Sequence, residues 1–198
     1  FYHAEVGSDD NSAWVQLWTM GEGGILSFTE IRKRITLRAG TEIVTADYRL
    51  SNDPSSQTDY VYGLWWHNFL GVRGQVNTYY VPTEEGVKEL TYDPAQFRRE
   101  EGGDHWYRNP ARGWTAFRAA NGPGMAIQVP FKYLNCFYNW VGAGYPVATH
   151  EWRFNRLEVK SGESLEAQIR ILPFAGMPRV DGCINDAVGA IDISTPED

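Results

Sequence analysis

His67 sits at the centre of the stretch Leu64-Trp65-Trp66-His67-Asn68-Phe69 and is the residue best suited to chemistry. An imidazole titrates near neutral pH, so it can donate or accept a proton or a hydrogen bond. Trp65 and Trp66 are adjacent, and on a strand they point to opposite faces. One of them therefore enters a core while the other is free to act as a platform for the apolar C–H face of a sugar. The expected platform is Trp66, with Asn68 on the same side able to donate to sugar hydroxyls. Three further clusters mix aromatic and polar groups: Asp104-His105-Trp106-Tyr107-Arg108-Asn109, Tyr138-Asn139-Trp140 and His150-Glu151-Trp152-Arg153. Each also has a plain structural reading. His67 would be an inert, hydrogen-bonded strand residue, the first cluster a compact surface loop, and the other two aromatic core with a polar edge. His67, His105, His150 and Glu151 lack the close ligand spacing of a zinc or iron site, so no metal is expected.

These residues need elements to hold them. Val44, Ala46, Tyr48 and Leu50 alternate with Thr45, Asp47 and Arg49, which predicts a half-buried strand. Ser51-Asn52-Asp53-Pro54-Ser55-Ser56 ends it. Tyr60 to Val72 is expected as one aromatic strand carrying His67 in its middle, followed by a strand from Gln75 that stops before Pro82. Upstream, Phe1 to Asn11 reads as a polar segment ending in a turn. Trp14 to Trp18 reads as a short strand, and Leu26 to Arg38 as a longer one that forms a hairpin with the Ile43 strand across Ala39-Gly40-Thr41. The region from Thr83 to Gly113 is the least regular, with at most one helical turn at Pro94 to Arg99; long loops of this kind are usually lids or binding loops. Downstream strands are expected at 114–118, 125–129, 134–141, 151–159 and 165–172, with Leu165, Ala167, Ile169 and Ile171 turned inward. An irregular Gly-rich tail follows, frayed from Asp192 to Asp198. Many short strands with almost no 3.6-residue period predict an all-β fold with minimal helix, a large antiparallel β-sandwich occupying 1–198 as a single domain.

Composition narrows the functions. The 198 residues are 42% hydrophobic, enough for a core without staples, and include eight Trp and eleven Tyr. The net charge of −7 and the lack of a concentrated basic face argue against nucleic acid. Arg32-Lys33-Arg34 reads as the solvated side of a strand, with Ile31, Ile35 and Leu37 on the other side. No apolar run reaches the ~18 residues of a membrane span. Cys136 and Cys183 allow at most one internal disulfide. The chain opens on Phe1-Tyr2-His3, without a signal peptide or initiator Met. It is expected to be a processed protein or a segment of a longer one, in a secreted or extracytoplasmic setting.

Three segments carry a family resemblance. Ile35-Thr36-Leu37, with Tyr48-Arg49-Leu50-Ser51-Asn52, resembles a strand and asparagine turn leading to a sugar cleft. Gly63 to Val72 resembles a segment in which a histidine precedes an aromatic residue. Leu157-Glu158-Val159-Lys160-Ser161-Gly162-Glu163-Ser164-Leu165 resembles the small-Gly-Glu turn before the last core strand. Together they are similar to the galactose-mutarotase-like supersandwich superfamily, which includes aldose 1-epimerases and hexose-6-phosphate epimerases. The resemblance implies a supersandwich and a sugar-facing surface. It also implies that His67 would protonate the ring oxygen while a glutamate takes the anomeric hydroxyl proton. That glutamate belongs on the strand Asn135 to Trp140, where no acid stands, and Glu151 is its nearest substitute. The expected function is a carbohydrate-binding module associated with glycan processing. It would hold a mono- or oligosaccharide through Trp66, His67, Asn68, Trp106, Arg108 and Trp140, without a cofactor, beside a neighbouring catalytic domain or a second copy. The alternatives are an aldose-epimerase-like enzyme using His67 and Glu151, and a protein-interaction domain.

Overall fold

The computed structural model describes residues 2–96, 102–142 and 144–191. Strands run in the order β1 (His3–Ser8), β2 (Ser12–Met20), β3 (Thr29–Arg38), β4 (Val44–Asn52), β5 (Tyr60–Trp66), β6 (Asn77–Thr83), β7 (Gly86–Tyr92), β8 (Gly103–Tyr107) and β9 (Trp114–Ala119). They continue as β10 (Gly124–Gln128), β11 (Leu134–Val141), β12 (Glu151–Val159), β13 (Ser164–Phe174), β14 (Gly182–Ile184) and β15 (Ala187–Gly189). The only helical pieces among the described residues are short 3-10 turns, as at Gly24–Phe28, Pro54–Ser56 and Phe131–Tyr133.

The strands build an antiparallel β-sandwich. A nine-stranded sheet in the order β1-β2-β3-β4-β13-β10-β9-β6-β7 faces a four-stranded sheet in the order β5-β12-β11-β8. The period-two patterns set the register. Ala46 lies opposite Ile169, Tyr48 opposite Ala167 and Leu50 opposite Leu165, so the inward residues of β4 and β13 share one face. That face meets Leu134, Phe137, Trp152 and Phe154 of the small sheet in the main core. Ile31 and Ile35 of β3 still pack against the inter-sheet core, whereas β1 lies at the edge of the large sheet, where Val6 is 76% exposed. The opposite face of the large sheet has its own apolar cluster of Tyr80, Trp114, Ala116, Ala126, Leu172 and Val180, against which Cys183 and Val188 of the β14–β15 hairpin pack.

Several expectations change. The polar N-terminus forms β1, which pairs along its whole length with β2. The region from Thr83 to Gly113 contains β7 and β8. The first is an edge strand with Lys88 and Glu89 exposed, and its alternation is hidden by those charges. Of the helical turn expected at Pro94 to Arg99, residues 94–96 form a turn and the remainder lies outside the described residues. β6 runs through Pro82 to Thr83, because its pairing with β9 ends at Tyr80 and the missing donor interrupts no ladder on that side. The Gly-rich tail yields the β14–β15 hairpin, and the expected fraying at Asp192 to Asp198 lies outside the described residues. Arg32-Lys33-Arg34 does not form one face. Arg32 and Arg34 lie over Trp18 and Trp14, whereas Lys33 lies over Tyr48. Both cysteines are free thiols.

Candidate functional site

β5 ends at Trp66, so His67 stands just beyond the strand rather than inside it. Along β5, Tyr62, Leu64 and Trp66 face the large sheet, while Val61 and Trp65 face outward. Trp65 is thus the more exposed of the two, while the partly buried Trp66 packs on the core and, with His67 and Asn68, lines a separate opening of about 330 Å³. Trp66 stacks near Trp152 at 6.2 Å, lies 4.5 Å from Phe154 and meets Tyr48 edge-on at 5.4 Å. Trp65 is 46% exposed. The physical reason is the apolar weight of the Tyr62/Leu64 side, which carries Trp66 into the core by parity.

The outward face of the small sheet is an aromatic surface. Cross-strand register sets Trp65 opposite Arg153, Tyr138 opposite both Glu151 and Trp106, and Trp140 opposite Asp104. Trp106 lies 4.4 Å from Tyr138 and 5.7 Å from Trp65, with the Arg108 guanidinium 4.8 Å above its ring. Trp140 meets Tyr145 edge-on at 4.8 Å, and Tyr145 stacks on Phe69. Gly142 permits this arrangement, because a Cβ there would come within 2.3 Å of the Trp140 indole. Trp65, His67, Phe69, Tyr138, Trp140 and Tyr145 surround a cleft of about 350 Å³, with Thr149 and Glu151 also lining it.

Glu151 is 1% exposed at the base of this cleft, and its Oε1 lies 2.9 Å from Nδ1 of His67, itself 61% exposed. The imidazole N–H is not directed along that contact, and neither carboxylate oxygen accepts a hydrogen bond among the described residues. A buried carboxylate without donors is costly. The pair is nonetheless held in place. The His150 amide donates to the Asn68 carbonyl at 2.7 Å, and Asn68 Nδ2 donates back to the His150 carbonyl at 3.3 Å. Asn68 is thus engaged in clamping the segment after β5 to the start of β12. One residue from Glu151, His150 points the other way and is fully satisfied. Its Nδ1 accepts from Asn139 Nδ2 at 2.8 Å, so Nε2–H donates to Thr115 Oγ1 at 2.8 Å, and that hydroxyl donates to the Tyr80 carbonyl. Burial pushes the His150 pKa down to about 3, so the ring is neutral and links β9 of one sheet to β11 of the other.

Two other groups tune the surface. Tyr138 donates to Asp104 Oδ1, and burial together with that neighbouring carboxylate raises its pKa, which keeps the hydroxyl a donor. Burial also raises the Cys136 thiol, against an opposing pull from Arg153 and Arg108. Among the described residues no group of His, Cys, Asp or Glu is arranged to hold a metal ion.

The fold therefore gathers His67, Glu151 and Trp140 around one cleft, with Trp106 and Arg108 beside it, and turns Trp66 away. Trp65, Tyr138, Phe69, Tyr145 and Arg153 complete the surface. Parity offered a signal for two of them: Trp65 shares a side with small Gly63, and Tyr138 shares one with Trp140. The juxtaposition of His67 with Glu151 had no local signal. Glu151 lies one strand later in sequence than the resemblance implies. In space β12 is the neighbour of β11, a displacement of ~4.8 Å.

No family model matches the chain, and no curated protein sequence is detectably similar to it. Solved structures are similar. A putative aldose 1-epimerase from Escherichia coli K12 superposes with a TM-score of 0.60 at 13% identity, over 88% of this chain and 68% of that one. For a putative aldose 1-epimerase from Klebsiella pneumoniae the values are 0.66, 11%, 88% and 53%. For galactose 1-epimerase from Lactobacillus acidophilus they are 0.59, 13%, 89% and 67%. The chain thus spans from about half to about two thirds of the length of these proteins. At this distance the likeness is one of fold: the β-sandwich described above is the architecture shared with these epimerase structures.

Proposed function

We propose that the outward face of the small sheet binds a saccharide. The observation that carries this reading is Glu151, a buried carboxylate lacking hydrogen-bond donors at the base of an aromatic-walled cleft. A sugar is matched to such a site. Its C–H faces stack on Trp65, Tyr138 and Trp140, while its hydroxyls supply the donors that Glu151 needs. His67 and Asp104 add polar contacts at the rim. The sugar-related neighbours are consistent with this reading.

A second reading is acid–base catalysis at the anomeric centre, favoured by the 2.9 Å approach of His67 to Glu151. Opening a pyranose requires a proton to leave the anomeric hydroxyl while another reaches the ring oxygen. Glu151 would take the first and His67 would give the second. The two groups now touch and both carboxylate oxygens are covered, so either reading requires the exposed His67 side chain to move aside as the sugar enters.

One experiment separates the readings. Saturation-transfer and anomer-exchange NMR spectra are recorded with free hexoses, hexuronates and short oligosaccharides. Saturation transfer without faster anomer exchange supports binding alone. Accelerated exchange that disappears in Glu151→Gln supports catalysis. Absence of both across the panel sinks the sugar reading and favours a protein interface formed by the same aromatics.

A further inference from the structure

Lys33 is the one charged side chain that β3 turns toward the layer between the sheets. It stands between Ile31 and Ile35 along the strand, and its register partners are Leu17 on β2 and Tyr48 on β4. Ile31, Ile35 and Tyr48 all pack against the inter-sheet core, so the lysine interrupts an apolar face. Its Nζ lies 5.5 Å from the centre of the Tyr48 ring and has no carboxylate or hydrogen-bond partner among the described residues. On the other face of the same strand Arg32 is paired with Glu30. An ammonium on an apolar face is costly unless it reaches solvent or an anion.

Lys33 reaches the opening of about 330 Å³ that Trp66, His67 and Asn68 border from the β5 side. The walls are half-buried apolar side chains: Ile31 and Tyr48 from the large sheet, Leu64 and Trp66 from β5, and Leu165 from β13, with Leu50 buried among them. No acidic residue lines this opening, although acids outnumber basic residues 25 to 18 in the chain. Of the other basic residues on its border, Arg49 donates to Ser164 Oγ at 3.1 Å and His67 lies against Glu151. Lys33 is left as the unneutralised cation of an apolar pocket.

Two features set the ligand class. Half-buried apolar walls favour an apolar body that covers them. One unpaired ammonium in such surroundings favours a single oxyanion. A ring of hydroxyls finds few partners here, since the Asn68 amide already donates to the His150 carbonyl.

We propose that this opening is a binding site for an apolar carboxylate, an aromatic or short aliphatic acid. Its tail lies against Leu50, Leu64, Trp66 and Leu165, and its carboxylate meets Lys33. The site is distinct from the aromatic cleft, although Trp65 and His67 border both. The inference does not rest on the saccharide reading.

The test is titration calorimetry of the whole chain with matched pairs: phenylacetate and phenylethanol, hexanoate and hexanol, and acetate alone. At least one acid is expected to bind about tenfold or more tighter than its alcohol. In Lys33→Met, which keeps the apolar stem and drops the charge, that advantage should fall to within about twofold while alcohol binding persists. Lys33→Arg should retain part of it, since the charge remains. Leu165→Trp, which fills a half-buried wall, should weaken acid and alcohol alike by about tenfold or more. The tighter acid names the tail. Equal binding of acid and alcohol overturns the inference, as does an undiminished acid advantage in Lys33→Met. Acetate binding as tightly as the longer acids overturns it too, because the apolar walls would then contribute nothing. Silence from every acid overturns it and leaves the saccharide reading untouched.

Discussion

His150 and Glu151 are neighbours in sequence, both 1% exposed, and they sit on opposite faces of the same strand end. His150 faces the layer between the sheets, where Asn139 and Thr115 satisfy both ring nitrogens. Glu151 faces the aromatic cleft, where its oxygens have only the misdirected His67 contact. The first is a structural group whose network rigidifies the core. The second carries an unmet demand for donors on oxygens that the surrounding side chains cover. The same contrast recurs one strand away, with Trp66 turned inward and Trp65 outward. Burial alone therefore does not mark function here. The two residues differ in the partners they find.

This comparison can be broken by mutation, beginning with the largest effect. His150→Leu should remove about 3–5 kcal/mol of stability in urea denaturation, because Asn139 and Thr115 lose a buried partner. A loss under ~1 kcal/mol would show that the network contributes little. The same histidine sets an acid limit. Its folded pKa lies near 3, below the unfolded value of 6.5, so the unfolded chain binds the extra proton between those values. Its contribution is fully present above pH 6.5 and is lost as pH falls toward 3, at up to ~1.4 kcal/mol per pH unit. His150→Leu should flatten that slope, and an unchanged slope would assign the acid sensitivity elsewhere.

Trp66→Ala should cost about 3 kcal/mol, since its ring fills space against Trp152, Phe154 and Tyr48. Glu151→Gln should move stability by less than ~1 kcal/mol, or raise it, while weakening saccharide binding about tenfold or more. A fall in stability as large as that of His150→Leu would place Glu151 among the structural groups. Trp65→Ala should have the smallest stability effect, about 0.5 kcal/mol, yet reduce saccharide binding markedly. If its melting temperature fell further than that of Trp66→Ala, the two faces would have been assigned the wrong way round.

Much of the fold is legible in local patterns. The alternation of Val44 to Leu50 and of Leu165 to Ile171 predicts two strands, and the Ala39-Gly40-Thr41 connection predicts a hairpin that forms as β3 and β4, whereas the pairing of β4 with β13 carried no local signal. β1 and β7 escaped notice because they are edge or near-edge strands whose exposed charges blur the period. Trp65 could have been chosen over Trp66 by weighing the two sides of Tyr60 to Trp66, a signal present but outvoted by the position of His67 and Asn68. The clamp between Asn68 and His150 had no sequence cue, since it joins a side-chain amide and backbone groups distant in the chain.

By itself the sequence determined an all-β sandwich rich in aromatics, and it offered His67, with Glu151 through the family resemblance, as candidates for chemistry. Period-two alternation and turn residues act within a few positions, and so they are written locally. Only the tertiary structure decided that β5 and β12 pair, that Glu151 opens outward while His150 closes inward, and that Lys33 and Trp66 border one opening. Those facts follow from strand order and register, which depend on contacts between distant segments and on which face each core can bury.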